Sequence, residues 1–362
     1  MPLSSVKVNS SISSHKLASH GGLYSISNPS PDLVDFSSNI NPIGPSKNVL
    51  DAIKNQLNLI QIYPDPESTD LRKNLQKYLK IDSSQIVVGN GATEIIYNFC
   101  KSFLSERTQV LIPIPTFSEY ETSARITGAK IKFFKTMNLT KNIDDFISKI
   151  PIKGGVFLCN PNDPTGLITP KNNLYKIITE AKKRNTLVFL DECFIELVPN
   201  YNESSIQFVN KVNNLFILRS LTKSYSLAGI RIGYGIGNKK MIDVLNKIKI
   251  PWNVSGLAQC AASAAILTPN YLDKSRAIIQ KESDYLKKNI SKLDNFCCFE
   301  SATNFILIKS KIKSNVLQKK LLKKKILIRD CSNFRGLDNY FIRIAVKTRK
   351  DNQKLVQALE EL

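Results

Sequence analysis

Between residues 85 and 240 the chain alternates short apolar runs with amphipathic stretches, and no other feature constrains its fold as strongly. The runs fall at residues 86–88, 109–112, 130–134, 155–159, 187–190 and 215–218. Each has the length and the β-branched or aromatic content of a buried strand. Residues 93–104 and 172–184 carry the clearest helical patterns between them. Such alternation predicts an α/β fold built on a large, mostly parallel, doubly wound sheet. Sites in these sheets gather beyond the carboxyl ends of the strands. The chemically informative residues fall there: Gly89-Asn90-Gly91-Ala92-Thr93 after the first run, Asn160-Pro161-Asn162-Asp163-Pro164-Thr165-Gly166 after the fourth, Asp191 at the end of the fifth, and Ser220 to Lys223 after the sixth.

After about residue 250 the pattern changes. A long helical region over 255–293 leads to a strand at 304–308, a Lys-rich helix, strands at 326–329 and 340–346, and a closing helix. A length of 362 residues suits a large domain plus a smaller one. We expect an N-terminal arm and part of the small domain over 1–60, a large domain over 61–254, and a small α+β domain over 255–362. No apolar run approaches the ~20 residues that cross a bilayer. Residues 1–14 are polar and Ser-rich without a signal peptide's apolar centre, which reads as a flexible start in a cytoplasmic protein.

Seven cysteines occur without CxxC pairing, beside only two histidines, His15 and His20, so free thiols in a reducing compartment are expected and a metal site is not. The net charge of +21 invites a nucleic-acid reading. Its lysines are dispersed, however, and the densest run, Lys319 to Lys325, has helical spacing around Leu321 and Leu322. A solvated helix face is the expectation, with no nucleic-acid partner and no membrane.

Each motif alone has a plain structural explanation: a turn, a loop, a solvated strand end, a surface lysine. Their order and placement point instead to a pyridoxal phosphate site, which needs partners for a phosphate, a ring nitrogen, a phenolic oxygen and an aldehyde. Gly91-Ala92-Thr93 opens a helix whose free N–H groups suit an anion. Thr93, Ser220 and Thr222 add hydroxyls, and Arg231 adds a cation suited to phosphate. Asp191 can salt-bridge the ring nitrogen, Phe117 can stack on the ring, and Lys223 can supply the amine if burial and nearby cations lower its pKa.

Ser220-Leu221-Thr222-Lys223 with Gly229-Ile230-Arg231-Ile232-Gly233, preceded by the Asn-Pro-rich loop and Asp191-Glu192, resembles the fold-type I class I/II aminotransferases across the chain after residue 15. The resemblance implies a seven-stranded large sheet domain and a smaller α+β domain. Two families within it stand out, the histidinol-phosphate aminotransferases and the threonine-phosphate decarboxylases of cobalamin synthesis. The chain looks more like the decarboxylases at His20-Gly21-Gly22, Asp35 to Pro42, Pro251-Trp252-Asn253-Val254 and Arg329 to Phe334. Phe194 also fits, since aminotransferases usually carry Tyr there. The resemblance implies a phosphorylated amino-acid substrate held by His20, Gly21, Asn39, Asp163, Arg329 and Arg343. It also implies a homodimer in which Tyr63 reaches the partner's cofactor phosphate.

One position departs from the family pattern. Asn usually precedes Pro-Thr-Gly and touches the phenolic oxygen, whereas this chain has Asp163. Either Asp163 faces that oxygen and raises the titration of the group beside it, or the loop shifts and Asn162 supplies the amide.

Overall fold

The computed structural model describes Ile12 and residues 18–199 and 203–362. The expected flexible start, Ile12 apart, and His15 lie outside the described residues. A two-residue strand, β1 (Val34–Asp35), comes first. β2 (Ile86–Gly89), β3 (Gln109–Ile114), β4 (Lys130–Lys135), β5 (Gly155–Cys159), β6 (Leu187–Asp191), β7 (Leu215–Ser220) and β8 (Gly233–Ile236) form a seven-stranded sheet in the order β2-β8-β7-β6-β5-β3-β4. β7, β6, β5, β3 and β4 are parallel, and β8 runs against both its neighbours. All six apolar runs are strands, and helices Ala92–Phe103 and Lys171–Lys183 stand where expected.

The seventh strand, β8, has no apolar run. A Cβ on Gly233 would stand 2.7 Å from the Ala92 nitrogen, and one on Gly235 would enter the Phe216 ring. Glycine weakens a strand by itself but lets other groups approach closely. Here that approach packs the opening of the helix that follows β2 against the sheet.

The smaller half contains β9 (Phe296–Cys298), β10 (Phe305–Ser310), β11 (Ile326–Leu327), β12 (Arg329–Asp330) and β13 (Phe341–Ala345). β12, β13, β10 and β9 form an antiparallel sheet in that order, while β11 pairs in parallel with β1. The single strand expected over 326–329 therefore divides at the buried Ile328. Phe36, just after β1, packs with Ile326, Ile342 and Ile344, so the N-terminal segment contributes to this core. The long helix expected over 255–293 also divides, into Gly256–Ile266 and Tyr271–Ile290. The first of these joins the large sheet's core through Ala258, Ala261, Ala262 and Ala265, as does Val49 from helix Lys47–Asn55. The large core thus draws on residues from both sides of the 61–254 span. In helix Ser314–Lys323, Leu317 and Leu321 are buried, and Lys319, Lys320 and Lys323 are exposed. No described helix is long and apolar enough to cross a membrane.

Behind the carboxyl ends of β6 and β7 lies a dry ion cluster. Arg219 donates from Nη2 to Glu192 Oε2 at 2.7 Å and to Ser204 Oγ at 2.7 Å, and its Nη1 stands 3.5 Å from Glu196 Oε1. Arg219 and Glu192 are fully buried, so Glu192 is not the solvated strand end that its sequence position allowed. Removing one partner of a buried ion pair strands the other charge. Arg219→Met should lower unfolding stability by about 3–5 kcal/mol, measured by urea denaturation at neutral pH.

Candidate active site

The carboxyl ends of β5, β6 and β7 lie side by side, with Cys159, Asp191 and Leu218 in register. Asp191 is buried. Its Oδ2 accepts a hydrogen bond from the Tyr120 hydroxyl at 2.6 Å, and its Oδ1 accepts one from the Cys193 N–H at 2.8 Å. Burial pushes its pKa up, and these hydrogen bonds pull it back down. Tyr120 was not singled out from the sequence, because its contact to Asp191 spans 71 residues.

Lys223 lies in the short helix Leu221–Ser224, which Ser220 caps by accepting from the Thr222 N–H. The Ser220 and Thr222 hydroxyls are 2.6 Å apart and buried. Asn41 pins this turn from the N-terminal segment. Its N–H donates to the Lys223 carbonyl at 3.3 Å and its Nδ2 to the Ser224 carbonyl at 2.8 Å. Burial lowers the Lys223 pKa below the ordinary lysine range. The positive charges of Arg343 and Arg231 lower it further, while Asp163 opposes them.

Helix Ala92–Phe103 starts at Gly91, whose φ is 80° and which offers no side-chain cap. The first N–H groups of the helix are therefore open to an anion. A Cβ on Gly91 would strike the Arg231 guanidinium. Gly91 and Arg231 are thus neighbours, and Gly233, the cross-strand partner of Ser220, approaches the Ala92 nitrogen. Phe117 stands edge-on to Tyr120 at 5.6 Å and 5.9 Å from the His20 ring. His20 pairs with Glu119, which also accepts from the Tyr97 hydroxyl, so Glu119 is a further residue that sequence reasoning missed.

The smaller half supplies two guanidiniums. Arg329 on β12 and Arg343 on β13 are direct cross-strand partners, and both are buried. Arg329 donates to the Ser19 carbonyl at 2.5 Å and to Asn333 at 3.2 Å. Arg343 donates to the Ser37 carbonyl at 2.9 Å and forms an ion pair with Asp163. Gly21 fits because a Cβ there would lie 2.7 Å from the Ser37 carbonyl oxygen. Asn39 is buried, and its Oδ1 has no hydrogen-bond partner. A cavity of about 310 Å³ beside Arg329 is lined by Ser19, His20, Gly21, Ser37 and Asn333 among others.

Asn162 donates to the Pro115 carbonyl at 3.0 Å and to Thr165 at 2.9 Å, and accepts from Thr116 at 2.8 Å. Asp163 is ion-paired with Arg343. Tyr63 is 80% exposed, with its ring against Trp252 at 4.7 Å.

Residues 31–359 match the family model described as aminotransferase class I and II. The chain belongs to this family, whose proteins use pyridoxal phosphate. It is 37% identical over 330 residues to a protein of Caldanaerobacter subterraneus subsp. tengcongensis provisionally named threonine-phosphate decarboxylase, covering 90% of this chain and 89% of that one. Among solved structures it is similar to the histidinol-phosphate aminotransferase of Clostridium acetobutylicum, at 33% identity and a TM-score of 0.84, covering 91% of this chain and 98% of the other. It is also similar to the L-threonine-O-3-phosphate decarboxylase of Porphyromonas gingivalis, at 29% identity and a TM-score of 0.82, covering 91% and 99%.

The residues present fit the cofactor. The open helix start and paired hydroxyls suit its phosphate, the buried Asp191 suits a ring nitrogen, and the low-pKa Lys223 suits an aldehyde.

The sign of the Lys223 shift gives a stability test. A depressed lysine pKa means that the folded state binds fewer protons than the unfolded state between the two pKa values. Stability therefore rises with pH in that window, and burying the amine costs stability below it. Cofactor-free Lys223→Met should resist urea better than the cofactor-free parent at pH 7, with the gap narrowing as pH rises toward the ordinary lysine range. Identical midpoints at pH 7 would place the amine in ordinary solvent.

Proposed function

We propose that this chain decarboxylates L-threonine O-3-phosphate to (R)-1-amino-2-propanol O-2-phosphate, for the cobalamin nucleotide loop, as a cytoplasmic homodimer. The observation that carries this reading is the buried cross-strand pair Arg329–Arg343. Like charges directly opposite each other on a sheet are destabilising. Burial and the Arg343 charge both depress the Arg329 pKa. A substrate with two anionic ends relieves that repulsion, and planar guanidiniums suit both carboxylate and phosphate. The cavity beside Arg329 favours the phosphate there, within reach of His20 and Gly21, which leaves the carboxylate to Arg343 and Asn39. Phe194 supports the same reading. It offers no hydroxyl, and its ring packs edge-on to Phe305 at 5.1 Å.

In this reading Gly91, Ala92, Thr93, Ser220, Thr222 and Arg231 hold the cofactor phosphate, Phe117 covers the ring, and Asp191 holds a proton at the ring nitrogen. When bound, pyridoxal phosphate supplies the electron sink for the pair left on Cα. Arg329 and Arg343 fix the substrate so that its Cα–carboxylate bond is the one that breaks. Carbon dioxide leaves, and Lys223 or a water delivers a proton to Cα. For the dimer, Ile60, Ile62, Tyr63, Ile250 and Trp252 are exposed apolar side chains suited to a second copy, through which Tyr63 reaches the partner's cofactor phosphate.

Histidinol-phosphate aminotransferase is the second reading, favoured by the C. acetobutylicum likeness and by relatives of that name at 30–34% identity. The reactions separate them. Threonine phosphate should release carbon dioxide without a keto acid. Glutamate formed from histidinol phosphate and 2-oxoglutarate, with no carbon dioxide from threonine phosphate, would reverse the choice. Arg329→Gln or Arg343→Gln should lower kcat/KM by a factor between about thirty and several thousand, about 2–5 kcal/mol, with the cofactor still bound. Borohydride treatment of the loaded enzyme should place a pyridoxyl mass on the Lys223 peptide, and a different labelled lysine would refute that assignment. Light scattering should give twice the chain mass.

A further inference from the structure

Arg343 already has an anion. Its Nη1 is ion-paired to Asp163, Nη2 donates to the Ser37 carbonyl at 2.9 Å, and its guanidinium lies over the Phe305 ring at 5.4 Å. Its Nε is buried without a hydrogen-bond partner. Asp163 and Arg343 are 8% and 5% exposed, so water does little to screen the pair. The loop also holds Asp163 in place. Asn160 bonds the backbone of Thr169 at both ends of its amide, at 3.1 and 2.6 Å, and Asn162 is committed to Pro115, Thr116 and Thr165. A carboxylate arriving at Arg343 therefore meets a fixed negative charge on the guanidinium edge it needs.

We propose that Asp163 is a resident counter-anion that sets the ligand selectivity of this site. It makes Arg343 a poor receptor for a lone carboxylate, so that ligands must bring a second anionic group for Arg329. A monocarboxylate must displace or crowd Asp163 with nothing to offset the repulsion. A phosphorylated amino acid gains a second charge-assisted contact at the neighbouring guanidinium, which is ion-paired to no carboxylate among the described residues, since Asp330 at the cavity wall accepts from the Ser332 N–H. The proposal deepens the reading of Arg343 as a substrate-anion residue and rests on it. Asp163 thereby discriminates by repulsion, against the abundant unphosphorylated amino acids.

The test uses the cofactor-loaded enzyme and trifluoroacetate as a non-reacting monocarboxylate, with binding followed by fluorine NMR. Asp163→Asn, which keeps the side-chain shape, should bind the probe about tenfold more tightly than the parent. The gain should disappear in Asp163→Asn/Arg343→Met. Asp163→Ala, with its melting temperature measured alongside, should show the same direction if Asn perturbs the loop. The KM ratio of L-threonine to its O-phosphate should fall in Asp163→Asn. A gain below twofold, while Arg343→Met still raises the KM for threonine phosphate, overturns the proposal alone. A gain that survives loss of Arg343 overturns both the proposal and the reading of Arg343 beneath it.

Discussion

A guanidinium buried between two carboxylates holds this site together from behind. Arg219 immediately precedes Ser220, and Glu192 immediately follows Asp191. Successive residues of an extended chain point to opposite faces. Pinning Arg219 to Glu192 on one face therefore fixes Ser220 and Asp191 on the other. The Glu192 N–H continues the ladder to the Leu218 carbonyl at 2.9 Å, which joins the same two strand ends through the backbone. A buried ion pair is weak evidence for net stability. What it supplies here is position: the Asp191 carboxylate and the turn that carries Lys223 are set by one contact on the opposite face.

In front of this lock the electrostatics are deliberately unbalanced. Lys223, Arg231, Arg329 and Arg343 outnumber Asp163 and Asp191, and His20 is already matched with Glu119. Around the buried Arg329 and Arg343, such an excess is costly until anions enter. A phosphate at the open helix start and a doubly anionic substrate at the paired guanidiniums are the groups that would balance it. The chain's overall positive charge works in the same direction, since it raises the local concentration of small anions.

Much of the large sheet was legible because its inner strands are buried on both faces and read as continuous apolar runs, although β4, expected to be buried, lies at the sheet edge with only Phe134 buried. β8 was not legible, because Gly233 and Gly235 are there to admit Ala92 and Phe216, and the same absence of side chains erases the strand signal. The division of 326–329 at Ile328 was hidden for a different reason. All four residues are buried, yet the chain passes from a pair with β1 to a pair with β13. The residues proposed to hold the cofactor were marked by local motifs. Tyr120, Glu119, Asn41 and Arg219 were not, because each acts on a residue distant in sequence or on one whose neighbours gave it a plain explanation. Asp163 stood out as a departure, but its partner lies 180 residues away, and only the folded chain joins them.

On the function proposed above, the same geometry lets one scaffold serve two reactions. The bond that breaks at Cα is chosen by the rotation of the substrate, and that rotation is fixed wherever its anions are gripped. Arg329 and Arg343 sit opposite each other on adjacent antiparallel strands, so their spacing is set by the sheet and not by flexible loops. Ser19 and Ser37 then orient the two guanidiniums from the N-terminal segment, which also brings His20 and Asn39. Phe305 supports Arg343 from below and meets Phe194, the position at which the chain departs from the aminotransferase habit of Tyr. A change at Phe194 can therefore reach the choice of bond through Phe305 and Arg343. On that reading, specificity and reaction type are coupled through one stack of side chains, Phe194, Phe305 and Arg343.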